Sequence, residues 1–397
     1  MNLCPDTKLI NKPEQKRSKE SYKILIPTSL YNDPKPCQLY GKIHSETRII
    51  NVTRYDCSID SADGFLHLGE IVADDNYTTI PRKGVIGIIS KGELFFTKDG
   101  LPCLIECYDL IQNVFSRNSG LLETSYMLNK KAIIIGCGSV GSYICLELAK
   151  SGIGHFMIID FDTVDYQNIC RHQCGISDVG EYKVVAVAQR ILDINPHAEV
   201  ILEKTNLESV PSDDFNNFIT KESIIISCAD SRYPDVLANR IASGYGIPFI
   251  SIGFWERAFA GEIFYWLPKM KMPCYSCALG TGPNNISGRV NQNNHHVYST
   301  QTDAEQIRIE PGLSVDIEFV TNVGIKLCLD ILNRDNIEYI PRLFGHLTQY
   351  TLICNTCDPR IGGEMAEIFS YPLQVTTSLM TNFSNDCKNN CQCRWEE

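Results

Sequence analysis

Two rhythms of apolar residues divide the chain. From Tyr22 to Leu110, short apolar runs such as YKILIP, GVIGIIS and GELFFT are separated by Gly, Pro and Asp, the pattern of strands joined by turns. A small mixed α/β domain is expected over 22–115, after a polar, disordered N-terminus over 1–21. From Lys131 onward, apolar runs of strand length alternate with segments of helical period. KAIIIG is a strand, and Ser139 to Ser151 is a helix carrying Val140, Ile144, Leu146 and Leu148. HFMIID (155–160) is a second strand, and Gly180 to Asp193 is a helix stopped by Asn195-Pro196. AEVILEK and SIIISC (223–228) are further strands, Arg232 to Tyr245 is a helix before Pro248, and GEIFYWLP is a strand leaving this half. After a polar stretch from Gly280 to Pro311, the run LSVDIEFVTNVGIKLCLDIL places Leu313, Ile317, Val320, Gly324, Leu327 and Ile331 on one face of a buried helix. This alternation predicts an α/β fold, a Rossmann-like, largely parallel sheet with helices on both faces and ligands at the carboxyl ends of the strands.

Composition narrows the chemistry. The chain has 397 residues, 44% of them hydrophobic, enough for more than one core. A net charge of −11 disfavours nucleic-acid and membrane-surface roles, which need a basic face. No signal peptide and no run of eighteen apolar residues is present, so a soluble, cytoplasmic protein is expected. Eighteen cysteines in a chain of this length without an export signal point to reduced thiols and metal ligation rather than to a disulfide scaffold. Four of them form two C-x-x-C pairs, Cys274/Cys277 and Cys354/Cys357. Two such pairs supply the four ligands of tetrahedral Zn2+; with no open position that zinc would be structural, stapling the start of the polar stretch to the C-terminal strand region. Cys387, Cys391 and Cys393 lie in a tail over 371–397 and are irregularly spaced for a second site, and His295 and His296 read as part of a solvated loop.

The run IIIGCGSVGS (133–142) takes an apolar strand into Gly136, Gly138 and Gly141. Glycines let backbone approach a phosphate, and the helix that follows offers free N–H groups and a positive dipole end. This serves NAD and ATP equally, and so does Asp160, placed where a ribose-binding acid falls. The downstream residues separate the two. Asn168, Arg171 and Lys183 follow within some twenty-five residues, and Asp230 ends the third apolar run in SCADSR. A triphosphate attacked at its α-phosphorus needs cations for the charge developing on pyrophosphate and a carboxylate for Mg2+. The combination favours ATP.

In order, G-C-G-S-V-G, D-x-D, N-x-x-R, G-x-x-K, A-D-S-R and the two C-x-x-C pairs resemble the adenylyltransferases of the ThiF/MoeB and ubiquitin-activating superfamily, between Arg117 and Arg360. The resemblance implies an adenylation domain over 116–370. It also implies an ATP-dependent enzyme that adenylates the C-terminal carboxylate of a ubiquitin-like or sulfur-carrier protein and releases pyrophosphate. By that match Gly136, Gly138, Ser139 and Gly141 lie under the phosphates, and Asp160 and Asp162 bind ribose and metal-side waters. Asn168, Arg171 and Lys183 contact phosphates, Asp230 holds Mg2+, and Asn239 supports it. Arg117, in FSRN, fits the arginine that the family supplies from a partner subunit, which implies a homodimer with composite sites. Ser139 stands where many relatives have Gly, and His172 where Gln follows the arginine; the second departure marks a sub-family. Ubiquitin-type activators carry a catalytic cysteine after the first zinc pair, but 278–312 contains none, so adenylation without a thioester there is the economical expectation. Cys170 and Cys174, beside Arg171, are the alternative nucleophiles. Arg232 and Arg257 fit a substrate channel and ordinary ion pairs equally. Two other functions remain open: a microcin-type peptide-modifying adenylyltransferase whose residues 22–110 clamp the peptide, and an inactive scaffold that binds a ubiquitin-like protein.

Overall fold

The computed structural model describes residues 21–55, 66–73, 83–280 and 311–381, which fall into two compact units, Met1–Ser119 and Gly120–Glu397.

The first unit is built of β1 (Lys23–Pro27), α1 (Thr28–Asn32), β2 (Cys37–His44), β3 (Ile49–Tyr55), β4 (Leu66–Ala73), β5 (Val85–Ser90), β6 (Glu93–Lys98), β7 (Leu101–Pro102) and β8 (Leu104–Tyr108). They form one sheet in the order β7-β6-β5-β4-β2-β3-β1-β8. Its outermost strands, β7 and β8, are separated in sequence by Cys103 alone. The Cys103 N–H donates to Phe96 at 2.8 Å and the Leu104 N–H to Tyr22 at 2.9 Å, so one short stretch serves both edges and the sheet curls toward closure, which removes free edges. In β1 the period of two sends Ile24 and Ile26 into the core, with Leu39, Ile50, Val52 and Phe96. Lys23 turns outward to pair with Glu106 at 2.8 Å.

The second unit contains α2 (Thr124–Met127), β9 (Lys131–Ile135), α3 (Ser139–Lys150), β10 (His155–Ile159), α4 (Lys183–Ile194), β11 (Glu199–Glu203), α5 (Ser212–Phe218), β12 (Ser223–Ser227), α6 (Arg232–Tyr245), β13 (Phe249–Phe254) and β14 (Ala260–Trp266). It continues through α7 (Tyr275–Leu279), α8 (Ser314–Leu332), β15 (Tyr350–Cys354), α9 (Pro359–Gly362) and β16 (Val375–Ser378). The sheet order is β11-β10-β9-β12-β13-β14-β15-β16. The five strands from β11 to β13 are mutually parallel, and β14, β15 and β16 add on in antiparallel fashion. The central strands are apolar on both faces because both are covered. Ile252 and Ile263 lie against Gly324 of α8, while Phe249 and Phe264, one position out of phase with them, stack on Tyr275 of α7. Ile133, Ile134, Ile224 and Ile225 are fully buried, each contributing about 2 kcal/mol of burial.

The structure departs from the sequence expectation in three places. Helix α4 begins at Lys183 instead of Gly180, because Gly180 has φ +94° and the Lys183 N–H is taken by the Asp162 carbonyl at 2.9 Å. Leu313 is not on the buried face of α8: it precedes the helix in extended conformation and is 66% exposed. Strands β13, β15 and β16, which periodicity did not single out, supply three of the eight strands.

Candidate nucleotide site

The turn from β9 into α3 is packed to backbone contact. Gly136, at φ +84°, donates its N–H to the Ile159 carbonyl at 2.9 Å. A Cβ on Gly136 would sit 3.1 Å from the Cys228 carbonyl. At Gly141 a Cβ would lie 1.9 Å from the Gly136 carbonyl oxygen, a clash that only glycine avoids. Gly138 is the N-cap residue of α3 and Ser139 its first residue. The first-turn N–H groups of a helix have no carbonyl partner within it, and the helix dipole adds positive character there.

The charged residues reach this turn through a backbone pairing. Val164 donates its N–H to the Glu181 carbonyl at 2.8 Å and Gly180 to the Val164 carbonyl at 2.9 Å, returning the chain from the end of β10 to the start of α4. Lys183 is thereby set against Asp162, whose carboxylate accepts from its Nζ at 2.7 Å. Burial opposes the charge on Lys183; the Asp162 hydrogen bond and the negative charges of Asp160, Asp162 and Asp230 outweigh it and hold the ammonium above its ordinary value. Asp230, between β12 and α6, thus acts on the same lysine as the two aspartates that follow β10. The Asp160 carboxylate joins two loops, accepting from the Cys137 N–H at 2.6 Å and the Asp162 N–H at 2.8 Å. Burial raises its pKa, against the pull of those N–H groups and of Lys183.

Residues 168–175 form a brace beside the turn. The Asn168 side chain accepts from the Asp165 N–H at 2.8 Å, closing a local capping turn. Arg171 is half-buried, its guanidinium 3.7 Å from where a Cβ on Gly312 would be. His172 is buried and contacts the Cys137 carbonyl at 2.7 Å. Gln173 binds Glu318 of α8 at 3.0 Å, and its N–H donates to Ser142 of α3 at 3.3 Å. Cys170 is exposed and its thiol donates to the Gln167 carbonyl at 3.5 Å. Cys174 is buried, and burial pushes its thiol up to about 12; the Cys137 thiol is raised by its hydrogen bond with Cys145 and by burial. The brace role of His172 and the 2.5 Å pair between Asp178 and Arg190 were not found from sequence. The one signal was the departure at position 172.

The other residues singled out from sequence sit on the following elements. Asn239 is buried on α6, and its Oδ1 accepts from the Tyr275 N–H at the start of α7, at 2.7 Å. Arg117 is exposed in a short turn, Ser116–Asn118, of the first unit. Arg232 opens α6, and Arg257, at φ +50° between β13 and β14, donates to the Arg360 carbonyl at 3.4 Å.

Of the zinc ligands expected from sequence, Cys274, Cys277, Cys354 and Cys357, no three gather with one another or with other His, Cys, Asp or Glu side chains as a metal-holding group among the described residues. The two pairs belong to different clusters. Cys274 is part of the main core and Cys277, on α7, packs against it half-buried. Cys354 is sealed in an aromatic cluster with Trp255, Phe259 and Phe369, and Cys357 packs against that cluster. Burial, and then the neighbouring Cys357, push the Cys354 thiol up to about 11. His295, His296, Cys387, Cys391 and Cys393 lie outside the described residues. Among the described residues no helix is long and apolar enough to cross a membrane.

The chain is similar to known proteins over part of its length. The chain is 30% identical over 182 residues to the adenylyltransferase and sulfurtransferase UBA4 of Vanderwaltozyma polyspora, covering 44% of this chain and 40% of that protein. It is 28% identical over 160 residues to ubiquitin-like modifier-activating enzyme 5 of Drosophila willistoni, covering 38% and 39%. The chain therefore spans well under two thirds of the length of these relatives. Among solved structures, E. coli MccB crystallised with MccA aligns with a TM-score of 0.48 at 18% identity, over 69% of this chain and 74% of that one. A family model described as the ThiF family matches residues 113–358. That span, more than half of the sequence, holds the glycine turn and all the charged groups around Lys183, and the chain belongs to the ThiF family.

Proposed function

We propose that the chain is an adenylyltransferase that binds ATP at the Gly136–Gly141 turn and activates the C-terminal carboxylate of a ubiquitin-like or sulfur-carrier protein. The observation that carries this reading is the convergence of Asp160, Asp162 and Asp230 on Lys183 beside the glycine turn. A carboxylate oxygen of the carrier attacks the α-phosphorus, a P–O bond forms, the bond to the β,γ-unit breaks, and pyrophosphate leaves with the electron pair. Lys183 and Arg171 stabilise the charge that grows on the phosphates. The glycine turn and the N-terminus of α3 hold the phosphate oxygens, Asn168 and Ser139 add hydrogen-bond donors, and Asp160 orients the ribose.

Mg2+ is held typically by one or two carboxylates together with phosphate oxygens. Asp230 is a hard oxygen donor at the carboxyl end of β12, and with Asp162 it fits that need. The cation, when bound, neutralises phosphate charge; the chain's own part is to present the carboxylates. Arg117 would act from a second subunit, making the active form a homodimer. The names of the relatives, an adenylyltransferase and sulfurtransferase and a ubiquitin-like modifier-activating enzyme, support the carrier class, whose extended tail would lie in the cleft as an added strand. The segment 278–312 has no cysteine and the buried thiols of Cys137 and Cys174 are held protonated, so the product expected is the acyl adenylate without a thioester on those residues.

ATP–pyrophosphate exchange with ubiquitin-like and sulfur-carrier proteins, followed by a non-reducing gel, tests the reading. Exchange that depends on the carrier and leaves no thiol-sensitive adduct is expected. Exchange with a short peptide alone would transfer the reading to a peptide substrate, and none with any carboxylate would favour a scaffold.

A further inference from the structure

His172 is the buried residue with the most direct hold on the nucleotide turn that the proposed chemistry leaves unused. Its two ring nitrogens have different partners. Nδ1 lies 3.1 Å from the Cys174 N–H, which can only donate, so Nδ1 accepts. Nε2 lies 2.7 Å from the Cys137 carbonyl, which can only accept, so Nε2 carries the hydrogen and donates. The ring is therefore neutral in a single tautomer. Cys137 is the residue between Gly136 and Gly138, and its other backbone group, the N–H, is held by Asp160 at 2.6 Å. The peptide units on either side of Cys137 are thus gripped from two directions: by the acid at the end of β10 and by an imidazole from the brace at 168–175.

We propose that His172 is a positioning residue: its neutral imidazole, anchored by the Cys174 N–H, orients the glycine turn for nucleotide binding, and protonating it breaks that anchor, so that the ring no longer holds the turn in register and nucleotide affinity becomes acid-sensitive. A second proton on Nδ1 would face the Cys174 N–H donor to donor. The groups around the ring are Lys183 and Arg190 from α4, Asp178 from the turn at 176–178, and the backbone of Cys137 and Cys174. Burial, with the charges of Lys183 and Arg190, lowers the imidazole below its ordinary value of 6.5, against the Cys137 carbonyl and Asp178, which raise it. The neutral form is therefore favoured at pH 7; as pH falls through the lowered value the contact with the Cys174 N–H is lost, while Nε2 can still donate to Cys137.

This inference rests on the ATP reading, and the test separates the two. ATP affinity is measured by calorimetry on the full chain between pH 7.5 and 5.5, for wild type, His172→Gln and His172→Leu. A glutamine amide can still donate to Cys137 and accept from Cys174 but has no proton to gain. The wild type is expected to lose affinity progressively on acidification, with about tenfold as the ceiling at pH 5.5 for a single group titrating below 6.5. H172Q is expected to stay close to the wild-type affinity at pH 7.5 and to lose much less at pH 5.5, while H172L is weakened about tenfold at both. Nitrogen-15 shifts of His172 in the protein without nucleotide should show Nε2 protonated and Nδ1 bare. An H172Q variant with the wild-type acid loss, H172L with wild-type affinity, or the opposite tautomer would overturn the inference. Wild type that binds no ATP at pH 7.5 would overturn the ATP reading itself, whatever the tautomer.

Discussion

Lys183 and Asp162 meet twice. The backbone N–H of Lys183 donates to the Asp162 carbonyl at 2.9 Å, and its ammonium donates to the Asp162 carboxylate at 2.7 Å. The first contact sets where α4 starts, and the second fixes where its leading cation points. Replacing Lys183 with Ala keeps the first and deletes the second. Asp162 is half exposed and can be rehydrated, so the fold should survive. Pyrophosphate exchange should fall by at least about a hundredfold, the usual loss for one electrostatic partner of a developing charge. Initial exchange rates beside a thermal melt check this; a rate within a few fold of wild type, with an unchanged melt, contradicts the role of Lys183.

Gly141→Ala should be far more damaging than its single methyl suggests. That methyl would stand 1.9 Å from the Gly136 carbonyl, so α3 must move off β9. The expected cost is about 3 kcal/mol, at the upper end for overpacking, together with loss of ATP binding. Urea unfolding and nucleotide titration measure both. Gly138→Ala, where a Cβ meets nothing within 4 Å, should leave the fold close to wild type and serves as the control.

Against the upward push of burial, Arg190 and the Gly175 N–H hold the Asp178 carboxyl below its ordinary value. A depressed acid contributes stability that is present above the unfolded value, near 3.8, and is lost as pH falls through the folded one. Asp178→Asn should therefore cost about 2 kcal/mol at pH 7 and narrow its deficit as pH falls below about 4. Urea midpoints at pH 7 and pH 3 give the comparison; an equal deficit at both would mean that the carboxylate charge is not what matters.

The buried Asp330 carboxylate, on α8, accepts from the Tyr339 hydroxyl at 2.7 Å and from the N–H groups of Arg342, Leu343 and Phe344 at 2.9, 2.6 and 2.9 Å. Asp330→Ala leaves the buried Tyr339 hydroxyl and three part-buried N–H groups without their acceptor and should cost about 3 kcal/mol, as for hydrogen bonds to a charged group. Chemical denaturation reads it; a loss under 1 kcal/mol would mean that the turn at 339–344 finds other partners.

The parts of the fold legible in the sequence are those whose local pattern and tertiary environment agree. β9 and β10 are continuous apolar runs because both sheet faces are covered, and α6 spans Arg232–Tyr245, where apolar period and Pro248 marked it. The antiparallel strands β15 and β16 were not legible. Tyr350–Cys354 is a short run whose identity as a strand depends on pairing with β14, and Val375–Ser378 is exposed along its length. The glycine turn could be recognised because contact with backbone permits no side chain. The brace at 168–175 could not, since whether His172 faces Cys137 depends on how α3 and α4 pack. Sequence spacing likewise did not show that Cys354 and Cys357 pack at the cluster of Trp255 and Phe369 while Cys274 and Cys277 pack at the main core.

The central claim is that the charged groups around Lys183 make the glycine turn a triphosphate site. Calorimetric titration of the full chain with Mg-ATP and, separately, with NAD tests it most directly, using wild type and the Lys183→Ala, Asp230→Ala double variant. Saturable ATP binding that the double variant weakens at least about a hundredfold, with no NAD binding, is the result predicted here. Saturable binding of NAD at the turn, or ATP affinity unchanged in the double variant, would contradict it.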